Sequence, residues 1–335
     1  MPDDFIFSPD GQQVQPFGDL ASYLIANGMN VNSLRTNSTL RKDDWELLDR
    51  TVVQTARERL NGVADLIFRG LVLEVPNGLG TTVVQHETIS EMIAAEVSMD
   101  GITRGQFDRT LYNLVSTPLP IIHRDFQLSA RNLEASRKSG TPLDTTMAAE
   151  ASRQVSERIE DILFNGLTRE DTLGFGSDSA QLFGYTNRTN RNTVSIGTAW
   201  NASAATGTTI LADVLAMITS AHADRMFGPY MLYVPTNFWV DLLDDFKTNS
   251  DKSIISRLKE IPSLIDVKPA DKLTASNVVM VQMTRDNVDM VIGMQPTTVQ
   301  WQSQGGMQLN FKVMAIMVPR IKLDSGNRSG VVHLS

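Results

Sequence analysis

The sequence contains no cysteine. That single absence removes disulfide staples, thiolate metal sites and thiol nucleophiles together, so packing or assembly must hold the fold. Long apolar runs are missing as well. The longest, Val313 to Val318, is six residues, far below the roughly 20 that a membrane helix needs, so no membrane partner is expected. Basic residues are the minority, with 30 Lys and Arg against 38 Asp and Glu and a formal charge of −8. This argues against a sequence-reading nucleic-acid binder, which carries a basic face. It does not exclude the wall of a container for nucleic acid, since tight binding at every subunit hinders loading and release. The start, Met1-Pro2-Asp3-Asp4, lacks the basic flank and apolar stretch of a secretion signal, so the chain is expected to stay where it is made.

What is present is a folded chain. At 335 residues with 41% apolar and 20% charged side chains, it can bury a real core in about two domains or one elaborated one. Residues 1–38 carry scattered Pro and Gly and no sustained period, which predicts an extended arm with one short helix near Leu20 to Ala26. Leu40, Trp45, Leu48, Val52, Ala56 and Leu60 fall near 3.6-residue spacing, predicting a helix that Gly62 ends. Leu71 to Val75 and Thr81 to Val84 flank a Pro-Asn-Gly cluster and predict a hairpin or a strand turn. Residues 85–117 are too long for an ordinary connection and too poor in apolar clusters for a core, so they predict an excursion that needs a partner.

The strongest element lies at 144–165. Asp144 is a good N-cap, Met147, Ala151, Val155, Ile159 and Ile162 form one stripe, and Arg153 and Glu157 pair on the outer side. Gly166 is the natural end. A strand is expected from Pro118 to Leu128. Beyond a Gly, Asn, Ser and Thr-rich stretch at 168–208, an α/β rhythm follows. Helix 208–226 carries Ile210, Leu211, Val214, Leu215, Ile218 and His222 on one face. Then come a strand at Tyr230 to Val234, helices at Thr236 to Phe246 and Ser253 to Ile261, and strands at Val278 to Met283, Asp289 to Gly293 and Met307 to Val318, the last ending at Pro319.

The templates of enzyme chemistry are not met. Gly-x-Ser-x-Gly and the phosphate-loop pattern are absent, and Gly174-Phe175-Gly176 reads as a flexible loop. His86, His123, His222 and His333 lie in four segments without ligand spacing, and His222 reads as a boundary histidine on its helix. Asp241, Asp244 and Asp245 could gather a hard cation, but beside Leu242 and Leu243 they fit an ordinary amphipathic face better. The fifteen methionines alternate within strands and read as core filling. No catalytic, cofactor-binding or metal-binding residue is therefore assigned, and no cofactor. An extended arm, a long excursion and a solitary spine helix point instead to a protein that assembles.

Several blocks carry a family resemblance: Pro118-Leu119-Pro120 with its strand to Leu128, Leu133 to Arg137, Glu160-Asp161-Ile162-Leu163-Phe164-Asn165-Gly166, Phe183-Gly184, and Gly228-Pro229-Tyr230-Met231-Leu232-Tyr233-Val234. In this order, across about residues 39–335, they resemble the major capsid proteins of tailed phages with the Hong Kong ninety-seven fold, and more closely the encapsulin shells. The resemblance implies an α+β fold with an N-terminal arm at 1–38, a helix and hairpin at 39–84, an extended loop at 85–117, a peripheral domain at 118–193 and 297–335, and an axial domain at 194–296. It implies self-association into pentamers and hexamers of an icosahedral shell around double-stranded DNA bound without sequence specificity, assembled in the host cytoplasm. Scaffolding, portal and cement proteins are left open as partners. Encapsulin shells usually begin almost directly with the helix near Thr39, whereas 38 residues precede it here, which favours a phage capsid over an encapsulin-like cargo shell. A soluble α/β enzyme or binding protein is the remaining alternative. No catalytic residue is carried over.

Overall fold

The computed structural model describes residues 6–7, 13–14, 48, 50–56, 60–95, 97, 99, 107–131, 145–168, 181–247, 252–274, 276–304 and 307–335. The expected helix at 20–26, the 133–137 block, the Asp144 cap and Gly174-Phe175-Gly176 lie outside them. In the arm, Ile6–Phe7 (β1) pairs antiparallel with Gln13–Val14 (β2).

Residues 50–56 are helical, and Leu48, Val52, Ala56 and Leu60 are buried at the predicted spacing. Gly62 does not end the helical region. It lies in a second helix, Asn61–Phe68 (α1), and is glycine for a different reason: a Cβ there would stand 2.8 Å from Leu163 and 3.1 Å from Glu160. Val72–Glu74 (β3) and Val83–Ile89 (β4) are both strands, but they are not a hairpin. The intervening turn serves another contact, because a Cβ on Gly78 would collide with the backbone of Gly293 at 2.4 Å. Two glycines there let the turn press onto a neighbouring strand, while β4 pairs instead with Tyr112–Pro118 (β5).

Ile122–Ser129 (β6) follows, then Thr146–Asn165 (α2), 20 residues long and about 30 Å at 1.5 Å per residue. Ala151, Val155, Ile159 and Ile162 are buried as expected, and Gly166 ends the helix at φ +75°. Met147 is half exposed rather than on the stripe. Its place is taken by a second buried row, Ser152, Ser156 and Glu160, four residues apart. Small Ser side chains let the 50–56 helix approach closely, and the Ser152 hydroxyl donates to the Val52 carbonyl at 2.7 Å.

Asn192–Val194 (β7) leads to Gly207–Ala223 (α3), capped by Thr206, which accepts from the Thr209 N–H at 3.3 Å. Its buried face is Ile210, Val214, Met217, Ile218 and Ala221, so the expected Leu215 and His222 are exposed. After Tyr230–Pro235 (β8), the expected helix to Phe246 stops at Trp239 (α4, Thr236–Trp239) and continues as a 3₁₀ turn, Asp241–Leu243. Backbone groups there find other partners: Asp244 C=O accepts from Ile254 N–H at 2.9 Å, and Phe246 N–H donates to Lys252 at 2.9 Å. Ile254–Lys259 (α5) is capped by Ser253.

The remaining strands are Leu264–Ala270 (β9), Val278–Gln282 (β10), Val288–Ser303 (β11), Gln308–Ile321 (β12) and Val331–Leu334 (β13). They build a four-stranded sheet ordered β3-β11-β12-β6 and a five-stranded sheet ordered β7-β13-β10-β8-β9. β12 passes through Pro319, where an end was expected. Met290, opposite Pro319, donates its N–H the other way to Leu71, so the missing proline N–H faces away from β11 and no ladder bond is lost. β11 runs across residue 296, and β13 joins the sheet of the 194–296 region. α2 packs on β6 and β12, and α3 packs on β13 and β7, which gives two apolar cores. Met231, Met280, Met290, Met294 and Met317 are buried in them, the role expected of the methionines.

Candidate functional site

The β4–β5 pair is a sheet of its own, with no third strand among the described residues. Its two faces differ. Val84 is half buried against the larger core, whereas the opposite face presents Val83, Ile89, Tyr112 and Leu114. Ile89 and Tyr112 stand directly opposite each other in the register, both exposed. The flanking limbs add Met92, Ile93 and Phe107, the last 86% exposed. An isolated two-stranded ribbon is marginal in water, and contiguous exposed apolar side chains mark a protein contact.

The loop end of the ribbon, just past Ile89, is clasped to the rest of the chain by Glu91. Its carboxylate accepts from Arg328 at 2.7 Å and pairs with Arg225 at 3.2 Å, and its N–H donates to Ser325 at 3.3 Å. Arg328 belongs to a turn ordered by Asp324, whose carboxylate accepts from the N–H groups of Gly326 and Arg328 at 2.9 and 2.8 Å. Arg225 follows α3. One acidic residue therefore ties the ribbon to both the helix and the C-terminal turn. These ion pairs are exposed and individually worth no more than about 1 kcal/mol, so they set direction more than strength.

The two sheets are joined at a buried polar cluster. Tyr233 of β8 donates to Asp65 of α1 at 3.0 Å, and Lys268 of β9 pairs with the same carboxylate. Glu160 of α2 accepts the N–H groups of Gly62 and Val63 at 2.6 and 3.3 Å. Burial pushes its carboxyl up to about 7 despite those two bonds, because the charged form is desolvated. Burial also raises the Tyr185 and Tyr233 phenols. Phe164, Tyr185 and Tyr233 pack as an aromatic trio beside it, with centroids 5.2 to 6.3 Å apart. The cluster fixes how the spine helix meets the five-stranded sheet.

The residues weighed for chemistry do not converge. His123 is exposed beside Asp125 at 3.4 Å, and His222 is exposed with its ring 5.3 Å from Phe227. His333 is buried in β13, accepting from Arg191 at Nδ1 (3.1 Å) with Asn277 Oδ1 2.9 Å from Nε2. Asp241, Asp244 and Asp245 border an open polar hollow of about 850 Å³ with Trp200, Thr206 and Lys247. Among the described residues no group of three or more His, Asp or Glu side chains is placed to hold a metal ion. The Glu160 and Glu91 contacts were not read from the sequence. Glu160 had a signal in the Ser152, Ser156, Glu160 row, whereas Glu91 had none, since its partners lie 134 and 237 positions away.

Residues 32–334 match a family described as a family of unknown function, DUF6260, and the chain belongs to that family. It is 25% identical over 285 residues to the type 1 encapsulin shell protein EncA of Myxococcus xanthus, covering 84% of this chain and 90% of that one. The fold matches the virus-like particle of Pyrococcus furiosus with a TM-score of 0.59 at 16% identity, covering 87% of this chain and 99% of that one. It matches the capsid of Myoviridae phage XM1 with a TM-score of 0.61 at 15% identity, covering 80% and 90%. The α+β architecture is thus the Hong Kong ninety-seven fold shared by phage capsids and encapsulin-like shells.

Proposed function

We propose that this chain is a structural shell subunit, the major capsid protein of a tailed phage, which assembles with copies of itself into an icosahedral container for double-stranded DNA. The observation that carries the reading is the β4–β5 ribbon, which displays Ile89, Tyr112 and Leu114 with no described layer of its own chain over them. A neighbouring copy supplies that layer. Each such contact is modest, but every subunit both gives and receives one, so the contacts sum around a closed shell. In this reading residues 85–117 are the extended loop, the sheet containing β8 and β10 is the axial lobe, and α2 with β6, β11 and β12 is the peripheral lobe. The role is mechanical and needs no catalytic group or cofactor.

The phage reading is favoured over a cargo shell by the 38 residues ahead of Thr39, a tether suited to subunits in several environments. The likeness to an encapsulin shell over most of the chain supports the second reading, an enzyme-filled nanocompartment. Electron microscopy of the expressed protein, followed by analysis of what purified particles contain, tests both. Closed particles support the shell. Packaged double-stranded DNA selects the capsid, an enzyme with a docking tail selects the nanocompartment, and a monomer at high concentration overturns the proposal.

A further inference from the structure

Where the base of the ribbon meets the end of β12, the chain encloses a small hollow of about 60 Å³. His86 of β4, Ser116 and Thr117 of β5, Gln181, Arg188 and Arg320 line it. At 10 to 15 Å³ per water-sized volume it has room for about four to six waters, or for one small polyatomic ion.

Two of these groups are unsatisfied. Arg188 Nε and His86 Nδ1 are both buried without a hydrogen-bond partner. A buried polar atom left unpaired costs about 1 to 3 kcal/mol, and both of these belong to residues that line the one hollow. The Arg188 guanidinium is held in place by the Phe183 ring, 4.7 Å from its centroid. Burial lowers its pKa with no carboxylate acting to restore it.

The charge behind the hollow has one sign in excess. Asp289, 1% exposed, is bonded by both Arg320, whose Nε donates at 2.8 Å, and Lys322 at 2.8 Å. Three fixed cations, Arg188, Arg320 and Lys322, therefore stand against one carboxylate in a chain that is acidic as a whole. Strand alternation puts Glu87 on the other face of the ribbon from His86. Ser116, which accepts from Gln85 at 3.2 Å, lies on that other face as well, whereas Thr117 shares the face of His86.

We propose that this hollow is an oxyanion site for a small tetrahedral dianion of the sulfate or inorganic phosphate class, held by Arg188 and His86 with the hydroxyl of Thr117. Arg320 and Lys322 supply the positive field from behind, with Asp289 fixing their positions. A bound dianion bridges the ribbon to the body of the subunit at a point distinct from the Glu91 clasp. It also acts on His86. Burial, then Arg320, Lys322 and Arg188, disfavour the imidazolium, and only Asp289 opposes them. A dianion reverses that balance, so binding tightens as pH falls through the imidazole range. The site stands whether or not the chain forms a shell.

Calorimetric titration of the full chain with sodium sulfate, against sodium chloride at equal ionic strength, tests it. Sulfate keeps its charge across the range used, about pH 6 to about pH 8 on either side of the ordinary imidazole value. Saturable binding of sulfate and not chloride is expected. Arg188→Gln should weaken it about tenfold or more, His86→Gln should remove its pH dependence, and Arg124→Gln, an exposed cation outside the hollow, should change nothing. Equal binding of sulfate and chloride, or Arg188→Gln binding like the parent, overturns the proposal. So does binding by dissociated subunits that assembled particles lack, which means a neighbour's carboxylate fills the hollow. If Arg188→Gln does not fold, maps of the parent protein in phosphate and in Tris-chloride decide. Density in the hollow in phosphate alone supports the site, and an empty hollow in phosphate refutes it.

Discussion

Glu160 and Gly62 are 98 positions apart, yet the Glu160 carboxylate accepts the Gly62 N–H at 2.6 Å inside the protein. The bond puts a carboxylate on the first turn of α1, where the unpaired N–H groups of a helix start need an acceptor. It also joins the spine helix to the segment that leads into β3. The absence of a Cβ on Gly62 is what permits the approach, since a methyl there would overlap Leu163.

Glu160 makes stability depend on pH in an unusual direction. Its carboxyl lies at about 7 in the folded chain against 4.5 ordinarily, so the folded state holds the proton more tightly. The contribution is fully present below about pH 4.5 and is lost as pH rises toward 7, at up to about 1.4 kcal/mol per unit. Glu160→Gln, which stays neutral, should flatten that part of the curve. Melting temperature against pH for parent and variant is the measurement, and parallel curves would show that Glu160 is not the group responsible.

His333 acts in the opposite sense. Burial, and then the charge of Arg191, lower its pKa to about 4 from 6.5, so the unfolded chain takes up the proton first. Its contribution is present above about pH 6.5 and is lost as pH falls toward 4. Protonation puts a second N–H where Nδ1 now accepts from Arg191. His333→Gln should therefore reduce the acid sensitivity of β13, read by hydrogen exchange of Val331 to Leu334 in mildly acidic buffer. Unchanged acid sensitivity in the variant would assign it to another group.

The interior of α2 is where truncation should cost most. Val155 and Ile159 are 1% and 0% exposed, so changing either to Ala should lower stability by about 1 to 4 kcal/mol and reduce particle yield. Arg153 bridges Glu150 and Glu157 on the partly exposed side, and Arg153→Ala should cost less than either core change, since solvent screens such pairs. Denaturant unfolding of the three variants checks the order. If the arginine change is the worst, that side of the helix is a contact with a neighbour.

The parts of the fold legible in the sequence are those whose signal is local. The α2 stripe, the Gly166 end, the helix beginning at Ser253 and the strands at 230 and 278 rest on spacing within one element. What was misread depends on distant partners. Gly62 and the Pro-Asn-Gly turn looked like punctuation, but each is glycine because another segment presses against it. β11 past Gly293 is rich in Gln and Thr and shows no apolar alternation, yet its long pairing with β12 imposes the strand. β9, with Pro269 inside it, is an edge strand that only the parallel pairing with β8 specifies. The ribbon is legible as a segment lacking a core, and Glu160 is marked only by its row with Ser152 and Ser156, while nothing local marks Glu91, whose partners lie 134 and 237 positions away.

Some shells of the Hong Kong ninety-seven fold lock themselves with an isopeptide bond between a lysine on the extended loop and an asparagine on an adjacent subunit. That reaction needs an amine that can lose its proton and attack, with a carboxylate nearby to take the proton. No lysine occurs between Lys42 and Lys138, so the whole β4–β5 ribbon and its connecting loop lack the nucleophile. Arg104 and Arg109 cannot substitute, because a guanidinium stays protonated. The ribbon offers a neighbour its exposed apolar side chains instead, and those contacts are reversible. Particles boiled in detergent should therefore run as one band near 37.0 kDa. A ladder of covalent multimers surviving that treatment would show that a lysine elsewhere performs the reaction and that residues 85–117 are not the segment that reaches the neighbour.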